Sequence, residues 1–357
     1  MKRRIFCVGR VLLIVLTLTG CNSAVTEQNP VSFENMHLSI ENEKEEAPQL
    51  SIIGSYHEDM VQKIAELFEK KMNCHVTYTR MPTGDAEDCI LSHEKDPEYQ
   101  VWIGGTVDGH EVLKEKGLLV PYHSDVEEEL PAQYLDKDDV WKAQYVEVLS
   151  IGVNMERWDQ EFSEKVEHQP QTLEDLLNPA YRGEIVIPDP MTSGTGYTFL
   201  ASVLGSMGEE EGWNYIEKLN EQIGQYTSSG YTAAEKTGLG QYLICVNFVS
   251  DQLLVKSLGY PVESCIYSQA GWTPVPVSLI KGAEDNELAR EFVDFCLTKD
   301  ACDVLVQSGQ VLAVREDCIT PEDIGKLKDL ELYEAFQPVE AAKYKQNRTE
   351  QFSKLLP

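Results

Sequence analysis

Basic residues are scarce in this 357-residue chain: 30 Lys and Arg stand against 60 Asp and Glu, a formal net charge of −30. A surface so short of cations excludes nucleic acid as a partner, because phosphate backbones are held mainly by Lys and Arg. It also argues against docking on anionic lipid, and it suits an exported protein kept soluble by its charge. No Gly-x-Ser-x-Gly elbow, His-Glu-x-x-His helix, phosphate-binding Walker loop or dinucleotide fingerprint is present, so the common nucleophilic, zinc and nucleotide chemistries have no local signature. The nine cysteines include no Cys-x-x-Cys pair and no Cys/His pattern of zinc spacing. The apolar run Val11 to Leu16 is too short to span a bilayer comfortably.

What is present at the start is a secretory signal. Lys2, Arg3, Arg4 and Arg10 precede that apolar run, and Leu18-Thr19-Gly20-Cys21 then reads as a lipobox, with small residues ahead of the cysteine that would carry a diacylglycerol. Two or more acyl chains give stable anchoring at about 0.8 kcal/mol per buried methylene. Removing the leader leaves 26 basic against 60 acidic residues, a net charge of −34. Residues 1–20 are therefore expected to be a signal peptide, and 21–48, polar, acidic and aperiodic, a flexible tether on the outer face of the membrane. Cys7 leaves with the leader and Cys21 is lipidated. Cys74, Cys89, Cys245, Cys265, Cys296, Cys302 and Cys318 remain, an odd number expected to be mostly buried thiols with one or two bridges at most.

From Leu50 onward strand and helix patterns alternate. Leu50 to Ile53 is a short buried strand, and Val61, Ile64, Ala65 and Phe68 mark one face of a following helix. Strands at Val76 to Met81 and Gln100 to Ile103 continue the series, which implies a largely parallel sheet. Glu184 to Ile187 opens a second series, with a helix buried through Leu200, Val203, Leu204 and Met207. The fold class is α/β in two lobes.

Ligands of open α/β sheets collect where strand carboxyl ends feed helix N-termini. Four such junctions stand out. They are Gly54-Ser55-Tyr56-His57, Gly104-Gly105-Thr106, the run Asp189 to Gly196, and Val249-Ser250-Asp251. In the third, Ser193-Gly194-Thr195 opens a helix whose free N–H groups and dipole suit an anion, although a plain N-cap by Thr192 or Ser193 would produce the same pattern. His57 also fits a solvent-facing cap, Thr106 simple turn chemistry, and Trp272 either ligand stacking or core packing; Trp102 is expected in the core.

The stretches Trp102 to Asp108, Gly117 to Tyr122, Arg182-Gly183-Glu184-Ile185 to Asp189-Pro190, Ser193-Gly194-Thr195 and Leu279 to Ala283 carry, in this order, a resemblance to a known family. The chain resembles bacterial extracellular solute-binding proteins of the ferric-iron, phosphonate and sugar-phosphate group, which feed ATP-driven importers. The resemblance implies a type II periplasmic-binding-protein-like fold with two crossing segments, near Tyr145 to Val153 and Cys265 to Val277, and a ligand cleft between lobes. Lobe 1 would comprise 49–147 plus 270–357 and lobe 2 would comprise 148–269. Ferric-binding members resemble one another in adjacent tyrosines after the strand that here ends at Phe248, where this chain has Val249-Ser250-Asp251-Gln252. The resemblance therefore implies Asp251 for the organic half of a sugar phosphate or phosphonate and Ser193, Gly194 and Thr195 for its phosphate. Ser55, His57, Gly105, Thr106, Ser250 and Trp272 complete the candidate set. Should iron be the cargo, Tyr56, His57, Tyr231 and Asp251 form the alternative oxygen-rich site, and an amine held by Asp251 and tryptophan stays open. A tethered sensor without transport and a hydrolase built on His57, Ser250 and Asp251 are the competing classes. The protein is expected to be monomeric, to need no cofactor, and to meet a small solute, a membrane permease and its ATPase.

Overall fold

The structure is a computed structural model that describes residues 47–356. The expected signal peptide, Cys21 and most of the expected tether lie outside the described residues. Seven elements open the fold: β1 (Gln49–Gly54), α1 (Glu58–Met72), β2 (His75–Arg80), α2 (Thr83–Ser92), β3 (Val101–Ile103), α3 (Val107–Glu115) and β4 (Leu119–Val120). A long strand, β5 (Trp141–Asn154), leads through the single turn α4 (Met155–Arg157) to β6 (Ile185–Pro188), α5 (Gly194–Met207), α6 (Glu209–Asn220) and β7 (Ile223–Thr227). Then come α7 (Gly230–Gly238), β8 (Ile244–Phe248), α8 (Val249–Ser257), β9 (Val262–Cys265), β10 (Trp272–Ile280), α9 (Glu287–Cys296), α10 (Lys299–Gly309) and β11 (Leu312–Ala313). The chain closes with α11 (Pro338–Ala341) and α12 (Lys345–Ser353).

The helices follow from local chemistry. In α1, Glu58 and Asp59 face the positive end of the dipole, Lys70 and Lys71 the negative end, and Asn73 terminates it in the left-handed region at φ 50°. Its expected face, Val61, Ile64, Ala65 and Phe68, is buried. The face expected for α5 is wrong in extent: every residue from Gly194 to Leu204 is buried, because the first three turns are covered on all sides, whereas Met207 of the expected face is only half-buried.

The strand order is β2-β1-β3-β10-β5-β8-β6-β7. Within each lobe the expected parallel pairs are present, β1 with β2 and β3, and β6 with β7 and β8. At the centre the sheet is antiparallel, contrary to the largely parallel arrangement expected, since β10 runs against β3 and β5, and β5 against β8. A chain that crosses from one lobe to the other and returns must do so in opposite directions, and β5 and β10 are those crossings. The first part of β5 pairs with β10 as far as Val148, and the remainder, from Leu149, pairs with β8. All 14 residues of β5 are buried, and at about 3.3 Å per residue the strand is roughly 46 Å long. Pro274 and Pro276 sit in β10 where a bulge between Val275 and Pro276 relaxes the ladder.

Among the described residues, all seven cysteines are free thiols. Cys89 and Cys265 are half-buried and the other five are buried.

Candidate functional site

Six helices start at one cavity between the lobes. The carboxyl ends of β1, β2, β3, β6, β7 and β8 deliver the chain into α1, α2, α3, α5, α7 and α8. From the cap or first turn of these helices, His57, Thr83, Thr106, Thr195, Gly230 and the pair Ser250 and Asp251 line the same space of about 70 Å³. That is room for a handful of waters. The partial positive ends of six dipoles converge there. Tight turns make the convergence possible. Gly104 and Gly105 adopt φ 75° and 78°, and a Cβ on Gly105 would lie 3.0 Å from the Trp102 ring and 3.3 Å from Thr83 Oγ1. Trp102, a core residue as expected, donates its indole N–H to Ser55 Oγ at 3.1 Å and stacks on His110 at 3.8 Å, which fixes the floor of the first junction.

Arg80, the last residue of β2, supplies the cavity's cation. Its Nε donates to the Tyr56 carbonyl at 3.1 Å, and among the described residues no carboxylate lies within ion-pair distance of the guanidinium. Burial pulls its pKa down, and the more distant Asp251, Glu58 and Asp85 pull it back up. The fork is thus held by one bond with its outer N–H groups free to meet an acceptor. Thr83 and Thr106 stand beside it: Thr83 Oγ1 accepts from the Thr106 N–H at 3.3 Å, and Thr106 Oγ1 is buried without a partner.

Part of the cavity wall is acidic. Ser250 Oγ donates to Glu147 Oε2 at 2.5 Å, and Asp251 Oδ2 accepts from Asn247 Nδ2 at 3.3 Å. Asp251 keeps some surface open to the cavity while its carboxyl is enclosed by protein. Burial pushes that carboxyl up to about 7 against the opposing pull of Asn247 and Arg80. Glu147 is pushed well above the carboxylate range, first by burial and then by Asp251. The wall therefore offers carboxyl groups that hold a proton near neutrality, able to donate as well as accept.

The structure brings together Ser55, His57, Gly105, Thr106, Thr195, Ser250 and Asp251 of the candidates read from sequence. Ser193 caps α5 but makes no side-chain cap bond and does not line the cavity. Gly194 lies against the first lobe, where a Cβ would come 2.0 Å from Thr106 Oγ1. Trp272 faces away from the cavity, donating its indole N–H to the Tyr333 carbonyl at 3.1 Å and packing near Tyr197 and Phe336. Of the iron set, Tyr56, His57, Tyr231 and Asp251 all reach the cavity. The Tyr56 hydroxyl, however, donates to Gln144 Oε1, and burial pushes its phenol well above the usual range and that of Tyr231 up to about 12. The hydrolase set does not form a relay: Ser250 is engaged by Glu147, and His57 Nδ1 is buried with no partner among the described residues.

Sequence reasoning missed Arg80, Thr83, Tyr145, Glu147 and Gly230. The strand-end rule applied to the second strand would have found Arg80 and Thr83. The lone acid Glu147 within the apolar crossing segment was a second available signal.

The two lobes touch beside the cavity. The Gly84 N–H donates to the Thr192 carbonyl at 2.9 Å, and Gly194 seats on Thr106 and Thr83.

The comparisons agree with this architecture. Residues 105–347, more than half of the chain, match the model of the family described as bacterial extracellular solute-binding protein. An uncharacterized protein of Haemophilus influenzae is 30% identical over 290 residues, covering 77% of this chain and 83% of that protein. The periplasmic binding protein AfuA from Actinobacillus pleuropneumoniae, solved with exogenous fructose 6-phosphate bound, superposes with a TM-score of 0.81 at 28% identity, covering 86% of this chain and 98% of AfuA. Iron-bound HitA from Pseudomonas aeruginosa shares the fold at a TM-score of 0.74, with 16% identity over 85% of this chain and 99% of HitA. The two-lobed fold is thus shared with these proteins, and the chain belongs to the bacterial extracellular solute-binding protein family.

Proposed function

We propose that this protein captures a small phosphorylated organic solute, a sugar phosphate or phosphonate, outside the cell membrane and delivers it to an ATP-driven importer. Arg80 carries the proposal: a half-buried guanidinium in the cavity wall, without a carboxylate partner among the described residues and set among six helix N-termini, is a site for an oxyanion. Thr83, Thr106 and Thr195 add hydroxyl donors around it. Asp251 and Glu147, holding protons near neutrality, face the other end of the ligand, where hydroxyls or an amine need both donors and acceptors. The global charge of −30 opposes an anion at long range, but screening over about 8 Å at physiological salt leaves the local field of Arg80 and the dipoles in control.

The lobes, 49–147 with 270–357 and 148–269, would close about β5 and β10 and bury the solute. Cys21 would carry the lipid that keeps the protein at the membrane, a permease and its ATPase would receive the solute, and the chain would act as a monomer without a cofactor. Binding of ferric iron would require the Tyr56 hydroxyl to leave Gln144 and two phenols, one buried and one half-buried, to ionise against raised pKa values, so this reading ranks second.

The test is calorimetry of the protein against glucose 6-phosphate, fructose 6-phosphate, 2-aminoethylphosphonate, spermidine and ferric citrate. Binding of a phosphate or phosphonate, with loss on replacing Arg80, supports the proposal. A response only to iron, with a phenolate absorption band, or only to spermidine, overturns it. Replacing Cys21 by alanine is expected to release the protein from cell membranes into the soluble fraction.

A further inference from the structure

The chain's last residues join both lobes, and one buried cation fastens them. Lys345, at the start of α12, is 8% exposed. Its Nζ donates to Glu87 Oε2 of α2 at 2.7 Å and lies 2.8 Å from Asp108 Oδ2 of α3. These are the helices whose first turns bring Thr83 and Thr106 to the cavity. Asp108 is itself 3% exposed. With the same segment the protein grips the second lobe. The Tyr197 hydroxyl of α5 donates to the Ala341 carbonyl at 2.5 Å, and Phe336 and Ala341 pack on Tyr197 and Ala201. Further along, Arg348 pairs with Glu209 of α6 at 2.7 Å, Asn220 Nδ2 donates to the Leu355 carbonyl at 3.1 Å, and Phe352 meets Tyr226 edge-on at 5.4 Å.

We propose that residues 333–356 form a strap across the two lobes and that Lys345 is a positioning residue that sets how far the cleft closes, acting on ligand affinity without touching ligand. This rests on the solute-capture reading. The physical reason is that both grips cannot survive a large displacement of α2 and α3 from α5. A buried ammonium is tolerable only while its carboxylates surround it, and those carboxylates belong to the first lobe. The apolar seat under Phe336 and Ala341 belongs to the second. Opening must break one of them or bend the chain between Ala342 and Tyr344, so the intact strap favours the closed arrangement. Affinity then follows the closed fraction: a tenfold smaller closed population raises the apparent dissociation constant about tenfold.

The experiment compares the wild-type protein with Lys345→Met and Lys345→Arg. Small-angle scattering without ligand, and the distance between spin labels placed one on each lobe, report closure. Calorimetry with whichever phosphorylated solute binds the wild type reports affinity. We expect Lys345→Met to be more open without ligand and to bind roughly tenfold more weakly, with Lys345→Arg restoring both. If Lys345→Met does not fold, the variant that also carries Glu87→Gln and Asp108→Asn, which leaves no unpaired buried charge, is measured in its place. Unchanged scattering and label distance in a folded variant overturn the strap. If the wild type binds no solute of the panel, the capture reading fails and the ligand-free distances alone decide the strap.

Discussion

Replacing Arg80 by methionine removes the charge but keeps much of the side-chain volume, and the structure sets the size of the effect. Nε is committed to the Tyr56 carbonyl, so the outer nitrogens are what a phosphoryl group would engage. Two charge-assisted hydrogen bonds at about 1.5–3 kcal/mol each bound the loss at roughly 3–6 kcal/mol. Competition from water and some repositioning place the expected value near the lower end, a weakening of about 100-fold or more by calorimetry. Lysine at the same position keeps the charge but not the fork, and should fall between. The ligand-free protein supplies the control. Arg80 is half-buried without an ion-pair partner among the described residues, and the desolvation that pulls its pKa down is a cost that methionine does not bear. The thermal midpoint without ligand should therefore hold steady or rise while affinity collapses. Because the site is enclosed, the wild-type affinity should depend only weakly on salt. An Arg80→Met protein that binds the wild-type solute within about threefold, a change below 1 kcal/mol, would refute an oxyanion site at Arg80.

The Asp251 carboxyl is held up to about 7 by burial, against an ordinary value of 3.8. An acid whose folded pKa is raised costs stability once it ionises, so Asp251 by itself should contribute stability as pH falls through about 7 toward 4, by at most about 1.4 kcal/mol per unit, with Glu147 acting in the same sense and the buried His110 in the opposite one. Asp251→Asn should flatten that slope in denaturant melts at several pH values, and an unchanged slope would remove Asp251 from the account. Gly194→Ala would place a Cβ 2.0 Å from Thr106 Oγ1 and 2.7 Å from Thr83 Oγ1. The variant should stay folded, because alanine favours the helix by about 1 kcal/mol, yet resist closure and bind at least about tenfold more weakly. A more open ligand-free scattering profile is the accompanying sign. Trp102→Phe removes the bond to Ser55 Oγ and alters the stack on His110, and should lower unfolding free energy by about 1–2 kcal/mol in urea titrations.

The α1 face was readable because a helix packed on one side imposes its period on the residues it buries, while α5, covered all round, had no period to read beyond apolarity. Ser55, His57, Gly105, Thr106, Thr195, Ser250 and Asp251 were legible because strand-end loops carry hydroxyls and glycines next to helix starts. Arg80 was overlooked because it looked like the exposed end of a polar strand, and its place in the cavity wall depends on loops that follow other strands. Trp272 could have faced either way, and only the position of the carbonyl of Tyr333, 61 residues later in the chain, decided its direction.

By itself the sequence determined the strand and helix succession and the chemistry of the loops, since these depend on neighbours within a few turns of chain. Only the tertiary structure decided that the central strands run antiparallel, that Arg80 and Glu147 line one cavity, and that Lys345 reaches α2 and α3. Each of those facts depends on residues tens to hundreds of positions apart, brought together by the two crossings of β5 and β10 between lobes.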